Sequence, residues 1–253
     1  MSFDFDLTGL VALLLVSARV LAWALVAPPM ATAGVPRTVK VALSVAIGLA
    51  MVSVTKPSVP AIDTLPIIGS LLWQILIGAG LGFLTRLLFT AIEMAGGLFD
   101  LFGGFALASS YDPLSTTMTT VIGKFYALLA TALIFATNAH LSIISGFVRT
   151  FSAVPLNATI SLDALGGALT HGVTEMFIGA LQIAGPLIVV LFIADVGLGV
   201  LNRIAPQLNA FTMSFPIKVG LTLVLVGTGM MLLPGTVLQI TGRVGDLIGA
   251  VIG

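Results

Sequence analysis

Eight ionisable side chains fall inside strongly apolar stretches of this sequence, and their types and spacing offer its main opportunities for chemistry. They are Arg19, Arg86, Glu93, Asp100, Lys124, Glu175, Asp195 and Lys218. Each is costly in hydrocarbon unless it is paired or faces protein or water. Arg86, Glu93 and Asp100 are spaced by seven, so on one helix they would form a charged stripe. Such a stripe fits either a tight, salt-bridged helix contact or a wet channel wall.

Motifs of known catalytic sites are missing from the sequence. Gly123-Lys124 is followed by Phe125, so there is no Walker A motif, and neither G-x-S-x-G nor H-E-x-x-H occurs. His171 and Glu175 are four apart and could share a helix face, although a polar helix start explains them better. There is no cysteine, and two histidines are too few for an ordinary zinc cluster. We therefore expect no enzyme, no cofactor and no metal.

Composition indicates a membrane protein in contact with lipid. Of 253 residues, 58% are hydrophobic and 8% are charged, whereas a soluble domain has about 25% charged residues. A formal net charge of zero argues against a nucleic-acid partner. Asp4 and Asp6 precede the first apolar run, unlike the basic start of a signal peptide, so we predict a retained helix there.

The apolar runs predict an all-α fold of helices at membrane-spanning length. About 20 apolar residues span a bilayer, which places helices at 7–27, 38–54, 65–92, 121–146, 175–201, 214–233 and 236–252. The glycine-rich segment 94–110 is too polar and too short for a confident eighth helix. With no soluble domain in view, residues 1–253 are predicted to form a single module. Arg37 and Lys40 in the first loop favour an outside N-terminus and a cytoplasmic first loop.

Four stretches carry a family resemblance. They are "ARVLAWALVAPPMATAGVPRTVKVALSVAI" (18–47), "EMAGGLFDLFGGFALASSYDP" (93–113), "NAHLSIISGFVRTFSAVPL" (138–156) and "ADVGLGVLNRIAPQLNAFTMSFPIKVGL" (194–221). In this order, and over essentially the whole chain, they resemble the flagellar export-gate family FliR and its type III secretion counterparts. Two departures stand out. Gly97 replaces the family's acidic residue after Ala-Gly, with Glu93 one turn earlier, and Ala139 replaces the glycine of Asn-Gly-His.

The resemblance implies a specific architecture and role. Family members consist of kinked and broken helical hairpins, looking like a FliP-like unit joined to a FliQ-like unit, with much of the assembly above the membrane plane. They are core subunits of the flagellar type III export gate, the channel for unfolded flagellar proteins. The implied partners are FliP-type and FliQ-type subunits and a FlhB-type subunit, and the implied location is the bacterial inner membrane within the flagellar basal body. Two alternatives are a virulence-type export subunit and a secondary transporter, which also uses broken helices with charges at mid-depth.

A proline-bracketed stretch near 205–218 is predicted to be a sharp hairpin tip. Pro206 and Pro216 each remove a backbone donor, and nearby amides can satisfy the backbone groups that broken helices leave open. The tip is either a plain turn or, as the resemblance suggests, a subunit contact near the channel entrance. Its residues are Asp195, Arg203, Pro206, Gln207, Asn209, Phe211, Pro216 and Lys218.

The stretch "ASSYDPLSTTMTTVIG" (108–123) is predicted to be a loop between buried neighbours. Pro113 biases Asp112 away from helix, and the hydroxyl side chains can bond locally to the backbone. Irregular backbone at membrane depth requires surrounding protein or water. The resemblance implies a pore plug beneath a ring of FliP-type subunits, and an ordinary surface loop is the alternative. The plug residues are Ser110, Tyr111, Asp112, Pro113, Leu114 and Met118.

Overall fold

A computed structural model describes residues 6–32, 34–105, 120–205 and 210–252, leaving aside the side chains of 210–213 and 250–252. Within those ranges the chain is helical with short connections and no strand, so the predicted all-α fold is confirmed. The helices are α1 (Leu7–Val26), α2 (Arg37–Thr55), α3 (Thr64–Phe102), α4 (Val121–Ala136), α5 (Ala139–Ala153), α6 (Leu162–Ile204), α7 (Ala210–Met230) and α8 (Leu233–Ile252). A short 3-10 helix, Lys56–Ser58, follows α2.

Two long helices extend well beyond their predicted bounds. Helix α3 continues to Phe102 and takes in the first part of the glycine-rich segment 94–110. Helix α6 begins at Leu162, where the Ser161 hydroxyl accepts a bond from the Ala164 amide at 3.4 Å. His171 and Glu175 therefore lie inside a helix rather than at its polar start. In both cases the predicted helix covered only the run of apolar residues. A helix requires only that its backbone hydrogen bonds are satisfied, so it continues through charged side chains.

The predicted helix 121–146 is two helices, α4 and α5. They are separated at Asn138, whose backbone is left-handed with φ 57°. Asparagine is one of the few residues that adopt this conformation routinely, because its short polar side chain bonds locally. The stretches on both sides of Asn138 are mainly apolar, so hydropathy alone predicted one continuous helix across this break.

The first of two compact units contains residues 1–88, 138–173 and 240–253. Its interior is organised around α1, whose side chains Trp23 and Arg19 are fully buried. A Cβ atom at Gly78 would collide with the Arg19 carbonyl, and one at Gly82 would lie 2.9 Å from the Trp23 carbonyl oxygen. The two glycines on α3 therefore let the α1 backbone approach closely, as small residues do in membrane helix pairs.

The second unit contains residues 89–137 and 174–239. Its buried apolar side chains come mainly from the end of α3, from α4 and from α6, with Val226 added by α7. Phe99 and Tyr126 pack edge to face with ring centroids 5.4 Å apart, and the Tyr126 hydroxyl donates to the Val226 carbonyl at 3.1 Å. This unit holds several of the predicted site residues. That residues 1–253 act as a single module stays a prediction.

In the part of the chain that the structure describes, four helices are long and apolar enough to cross a membrane, or up to six spans exist if each of two bent helix pairs counts as one. The chain is a multi-pass membrane protein. Helices α3 and α6, with 39 and 43 residues, measure about 58 and 64 Å at 1.5 Å per residue, against a hydrocarbon core of about 30 Å. At ordinary tilts neither helix fits entirely inside a bilayer, so the number of bilayer crossings does not follow from the number of long helices.

Candidate functional site

Arg19 on α1 is fully buried in the first unit and donates three hydrogen bonds, to α3 and to the end of α5. Its Nε donates to Gln74 Oε1 on α3 at 2.5 Å. Its Nη2 donates to the Val154 carbonyl at 2.9 Å and its Nη1 to the Thr150 carbonyl at 3.3 Å. These carbonyls lie at the C-terminal end of α5, where the helix dipole is negative. The arginine charge is thus stabilised by main-chain dipoles and an amide.

Two further contacts extend this network. The guanidinium carbon lies 4.4 Å from the centre of the Phe151 ring, a cation–π arrangement. Gln74 Nε2 donates to the Leu156 carbonyl at 3.1 Å, so the same glutamine binds Arg19 and the segment after α5. Sequence reasoning identified Arg19 as a costly charge and missed its position as the tie between α1, α3 and the α5–α6 connection.

Asp100 is 3% exposed and caps a helix that begins 21 residues further along the chain. Its Oδ2 accepts from the Ile122 amide at 3.0 Å and from the Gly123 amide at 3.1 Å. Thr120, the N-cap residue of α4, makes no capping bond of its own. A carboxylate at a helix N-terminus satisfies open amides and complements the helix dipole. Asp100 therefore performs the capping that α4 lacks locally.

Around Asp100, residues of α3, α4 and α7 pack closely together, and we call this packed region the base of the α3–α4 connection. A Cβ at Gly96 would lie 2.7 Å from Gly123 Cα, so these two backbones touch directly. One at Gly103 would lie 2.6 Å from Thr222 Oγ1 on α7. Together with the bond from Tyr126 to α7, these contacts fix both described ends of the connection between α3 and α4. The predicted plug residues in that connection lie outside the described residues.

The predicted charged stripe lies on one continuous helix, α3, but its members differ in exposure. Asp100 is buried, while Arg86 and Glu93 are exposed on the chain. Asp100 is buried because the start of α4 packs against this end of α3, with the Ile122 and Gly123 amides bonded to its carboxylate. A shared role for the three residues stays a prediction.

Two residues of the predicted hairpin tip are joined by an ion pair. Lys218 Nζ lies 2.7 Å from Asp195 Oδ1, connecting α7 to α6, with the side chains 22% and 44% exposed respectively. Lys218 and Pro216 both lie inside α7, so the expectation that Pro216 ends the turn is wrong. Its missing amide costs one helix bond, which membrane helices tolerate.

The remaining tip residues are only partly described. Arg203 is exposed in the last turn of α6, where a cation favourably meets the negative helix end. Pro206, Gln207 and Asn209 lie outside the described residues, as does the side chain of Phe211. Among the tip residues whose side chains the structure describes, Asp195 and Lys218 are thus the two that contact each other.

Breaking the ion pair is expected to weaken the protein, and reversing it to restore much of the loss. Asp195→Lys or Lys218→Asp each places two like charges together, at a cost of about 1 kcal/mol for a half-exposed pair. The double variant re-forms the pair with opposite polarity. Steady-state protein level and motility would be compared across the three variants, and a double variant no better than either single variant would contradict the pairing.

The described ranges contain no group of three or more His, Cys, Asp or Glu side chains that could hold a metal ion. The polar side chains discussed above bond main-chain groups or one another, and these contacts hold neighbouring helices together.

A family model described as "Bacterial export proteins, family 1" matches residues 10–244. The chain is 36% identical over 211 residues to "Flagellar biosynthetic protein FliR" of Escherichia coli (strain K12), covering 81% of this chain and 79% of that protein. It is 33% identical over 235 residues to the protein of the same name from Pectobacterium carotovorum subsp. carotovorum, covering 91% and 88%. It is also 31% identical over 145 residues to "Surface presentation of antigens protein SpaR" of Shigella flexneri, covering 57% and 56%.

Proposed function

Because this chain belongs to the bacterial export proteins, family 1, we propose that it is a core subunit of the flagellar type III export gate, the channel that passes unfolded flagellar proteins. The observation that carries the proposal is the match over residues 10–244, together with relatives at 33–36% identity that are named for flagellar biosynthesis. Its contribution is structural: it builds and seals a path through which other proteins move.

The proposed partners are FliP-type and FliQ-type subunits, with a FlhB-type subunit beside them, in the inner membrane at the flagellar basal body. Large apolar side chains exposed on the chain support an assembly. Leu65, Leu128 and Met231 are among those more than two-thirds exposed. Patches of this kind require lipid or another protein to cover them. The tip region around the ion pair is proposed to contact neighbouring subunits near the channel entrance.

Expression of the chain alone tests the assembly. We expect it to aggregate or be degraded, because its exposed apolar faces and its charges on apolar helices need cover. Co-expression with the FliP-type and FliQ-type subunits of the same organism is expected to yield a stable complex, and native mass spectrometry of the detergent extract would identify its members. A folded, monodisperse single subunit in mild detergent would contradict the proposal.

A virulence-type export subunit is the second candidate, favoured by the similarity to SpaR over 57% of the chain. Deleting the gene in its own host separates the two candidates. Loss of motility with intact injection of effectors supports the flagellar role, and the reverse pattern supports the virulence role. If the protein is instead a secondary transporter, the deletion strain would lose uptake of a small solute and keep both export systems.

We also propose that Ser110, Tyr111, Asp112, Pro113, Leu114 and Met118 form a plug that closes the resting channel. These residues lie outside the described part of the chain, and the support comes from the base beside them. Asp100, Gly96 and Tyr126 hold the two ends of the connection against α4 and α7. A connection held at both ends can be shortened without releasing the helices that carry it.

Deleting residues 110–118 is expected to leave assembly intact and to make the membrane leaky to ions and small solutes when the whole complex is overproduced. The deletion removes the apolar seal and keeps the bonds of Asp100. Leakage would be measured as dye uptake or growth inhibition, with equal amounts of parent complex as the control. A deletion variant that assembles fully and stays as tight as the parent would refute the plug.

A further inference from the structure

Two buried polar atoms between α1 and α5 have no hydrogen-bond partner in the part of the chain that the structure describes. They are Trp23 Nε1 on α1 and Thr150 Oγ1 on α5, whose residues are 1% and 0% exposed respectively. A buried polar group without a partner costs free energy, and most such groups bond to protein or to an ordered water. A further atom of this kind, Ser17 Oγ, lies 2.5 Å from the position of a Cβ at Gly48 on α2, so it belongs to a different contact.

Contacts between α1 and α5 place these two atoms in one interface within the first unit. The Trp23 ring stacks on Phe147 with ring centroids 4.6 Å apart. One turn away on each helix, the Arg19 guanidinium lies over Phe151 and its Nη1 donates to the Thr150 carbonyl. Residues three and four apart share a face of a helix, and one turn rises about 5.4 Å. Thr150, three residues after Phe147, therefore lies beside both ring contacts.

The unpaired groups of this interface are mainly donors. Trp23 Nε1 can only donate, while the Thr150 hydroxyl donates and accepts. A guanidinium has five N–H groups, and the three hydrogen bonds of Arg19 leave some of them without an acceptor. Arg19 also makes no ion pair within the described ranges. A ligand in this interface must therefore accept hydrogen bonds beside a positive charge.

We infer that Trp23 Nε1 and Thr150 Oγ1 bind one small hydrogen-bond acceptor, a water molecule or a chloride ion, in the interior of the first unit. The ligand accepts from the indole N–H and from the hydroxyl, and it links α1 to α5 next to the Arg19 bonds. An internal water commonly makes about three hydrogen bonds, and Arg19 has N–H groups left for the third. The inference is independent of the proposed export function, because it concerns groups buried within this chain from both bulk water and partner subunits.

A double-mutant cycle tests whether the two atoms share a ligand. Thr150→Val keeps the shape of the side chain and the carbonyl that Arg19 bonds, and it removes the hydroxyl. Trp23→Phe removes the indole N–H. The tagged subunit is solubilised from membranes with its native partners, and the temperature at which half of it becomes insoluble is measured. We expect Thr150→Val to lower this temperature by about 2–4 °C in the parent, and by about half as much or less in the Trp23→Phe background, where the ligand is already lost.

Thr55→Val is the matched control for the cycle. Thr55 is 2% exposed and its hydroxyl bonds a carbonyl of its own helix. It adjoins Lys56, which pairs with Asp6 at the opposite end of α1 from the proposed site. The effect of Thr55→Val should therefore be the same with and without Trp23→Phe. Thr150→Ser retains the hydroxyl and should retain its coupling to Trp23.

Two further measurements identify the ligand. The melting experiments are repeated in chloride and in gluconate at equal ionic strength. A higher midpoint in chloride that Thr150→Val abolishes identifies chloride, whereas equal midpoints together with the coupling identify water. A high-resolution map of the assembled protein is expected to show a density peak within hydrogen-bonding distance of Trp23 Nε1 and Thr150 Oγ1. Additive effects of Thr150→Val and Trp23→Phe, or a map without a peak between these atoms, would overturn the inference.

Discussion

Arg19→Leu is expected to prevent accumulation of the folded protein, with motility lost as a consequence. The substitution removes the hydrogen bonds that Gln74 Oε1 and the Val154 carbonyl accept from Arg19 in a buried environment, while the Thr150 carbonyl keeps the bond it accepts from the Val154 amide. Each unpaired buried acceptor costs about 1–3 kcal/mol, and a total of about 3–5 kcal/mol is a large part of the stability of an ordinary protein. Immunoblot half-life of the tagged protein and diameter of the swimming halo are the measurements.

Arg149→Leu is the matched control for that prediction. Arg149 carries the same side chain in the same unit and is exposed on α5, so its loss removes a charge without opening buried bonds. Arg19→Lys keeps the charge but replaces the planar fork by a single ammonium group, and an intermediate half-life is expected. Equal half-lives for Arg19→Leu and Arg149→Leu would contradict a stabilising role for the buried arginine.

The fold was predictable where sequence breaks are strong. The bounds of α1 and α2 agree with prediction to within a residue, because Pro28, Pro29 and Pro36 interrupt the apolar runs on either side. The long helices were predicted too short because the apolar window ended at charged or polar side chains. Glu93 lies within α3 and Glu175 within α6. Hydropathy indicates whether a segment contacts lipid or water. It does not indicate at which residue a helix ends.

The candidate sites were predictable only in part, for a related reason. Arg19 and Asp100 stand out in the sequence as charges in apolar surroundings, but their partners are the carbonyls of Thr150 and Val154 and the amides of Ile122 and Gly123. Every residue type offers a main-chain carbonyl, and every type except proline offers an amide, so no sequence pattern identifies them. Asp195 and Lys218 have complementary charges, yet their pairing depends on the register between α6 and α7. That register is a property of packing.

Asp100→Leu is expected to abolish export, with a larger effect than any change to the exposed charges of α3. It leaves the Ile122 and Gly123 amides unpaired at the buried start of α4, at a cost of about 2–4 kcal/mol. The loss falls at the base that holds the α3–α4 connection. Secreted flagellin and swimming halo would be measured alongside the level of assembled complex, so that failed assembly is separated from failed transport.

The order of effects among variants distinguishes the cap from a general need for charge on α3. Asp100→Asn keeps one acceptor oxygen and loses the negative charge that complements the helix dipole, so a partial defect is expected. Arg86→Leu removes an exposed member of the charged stripe and should be milder, while Asp63→Asn, at an exposed carboxylate before α3, should have no effect. If Arg86→Leu proved as severe as Asp100→Leu, the stripe as a whole would matter more than the cap, and a wet or salt-bridged wall along α3 would be the better explanation. If Asp100→Leu exported normally, the amides of α4 must find another partner, and the base would not depend on Asp100.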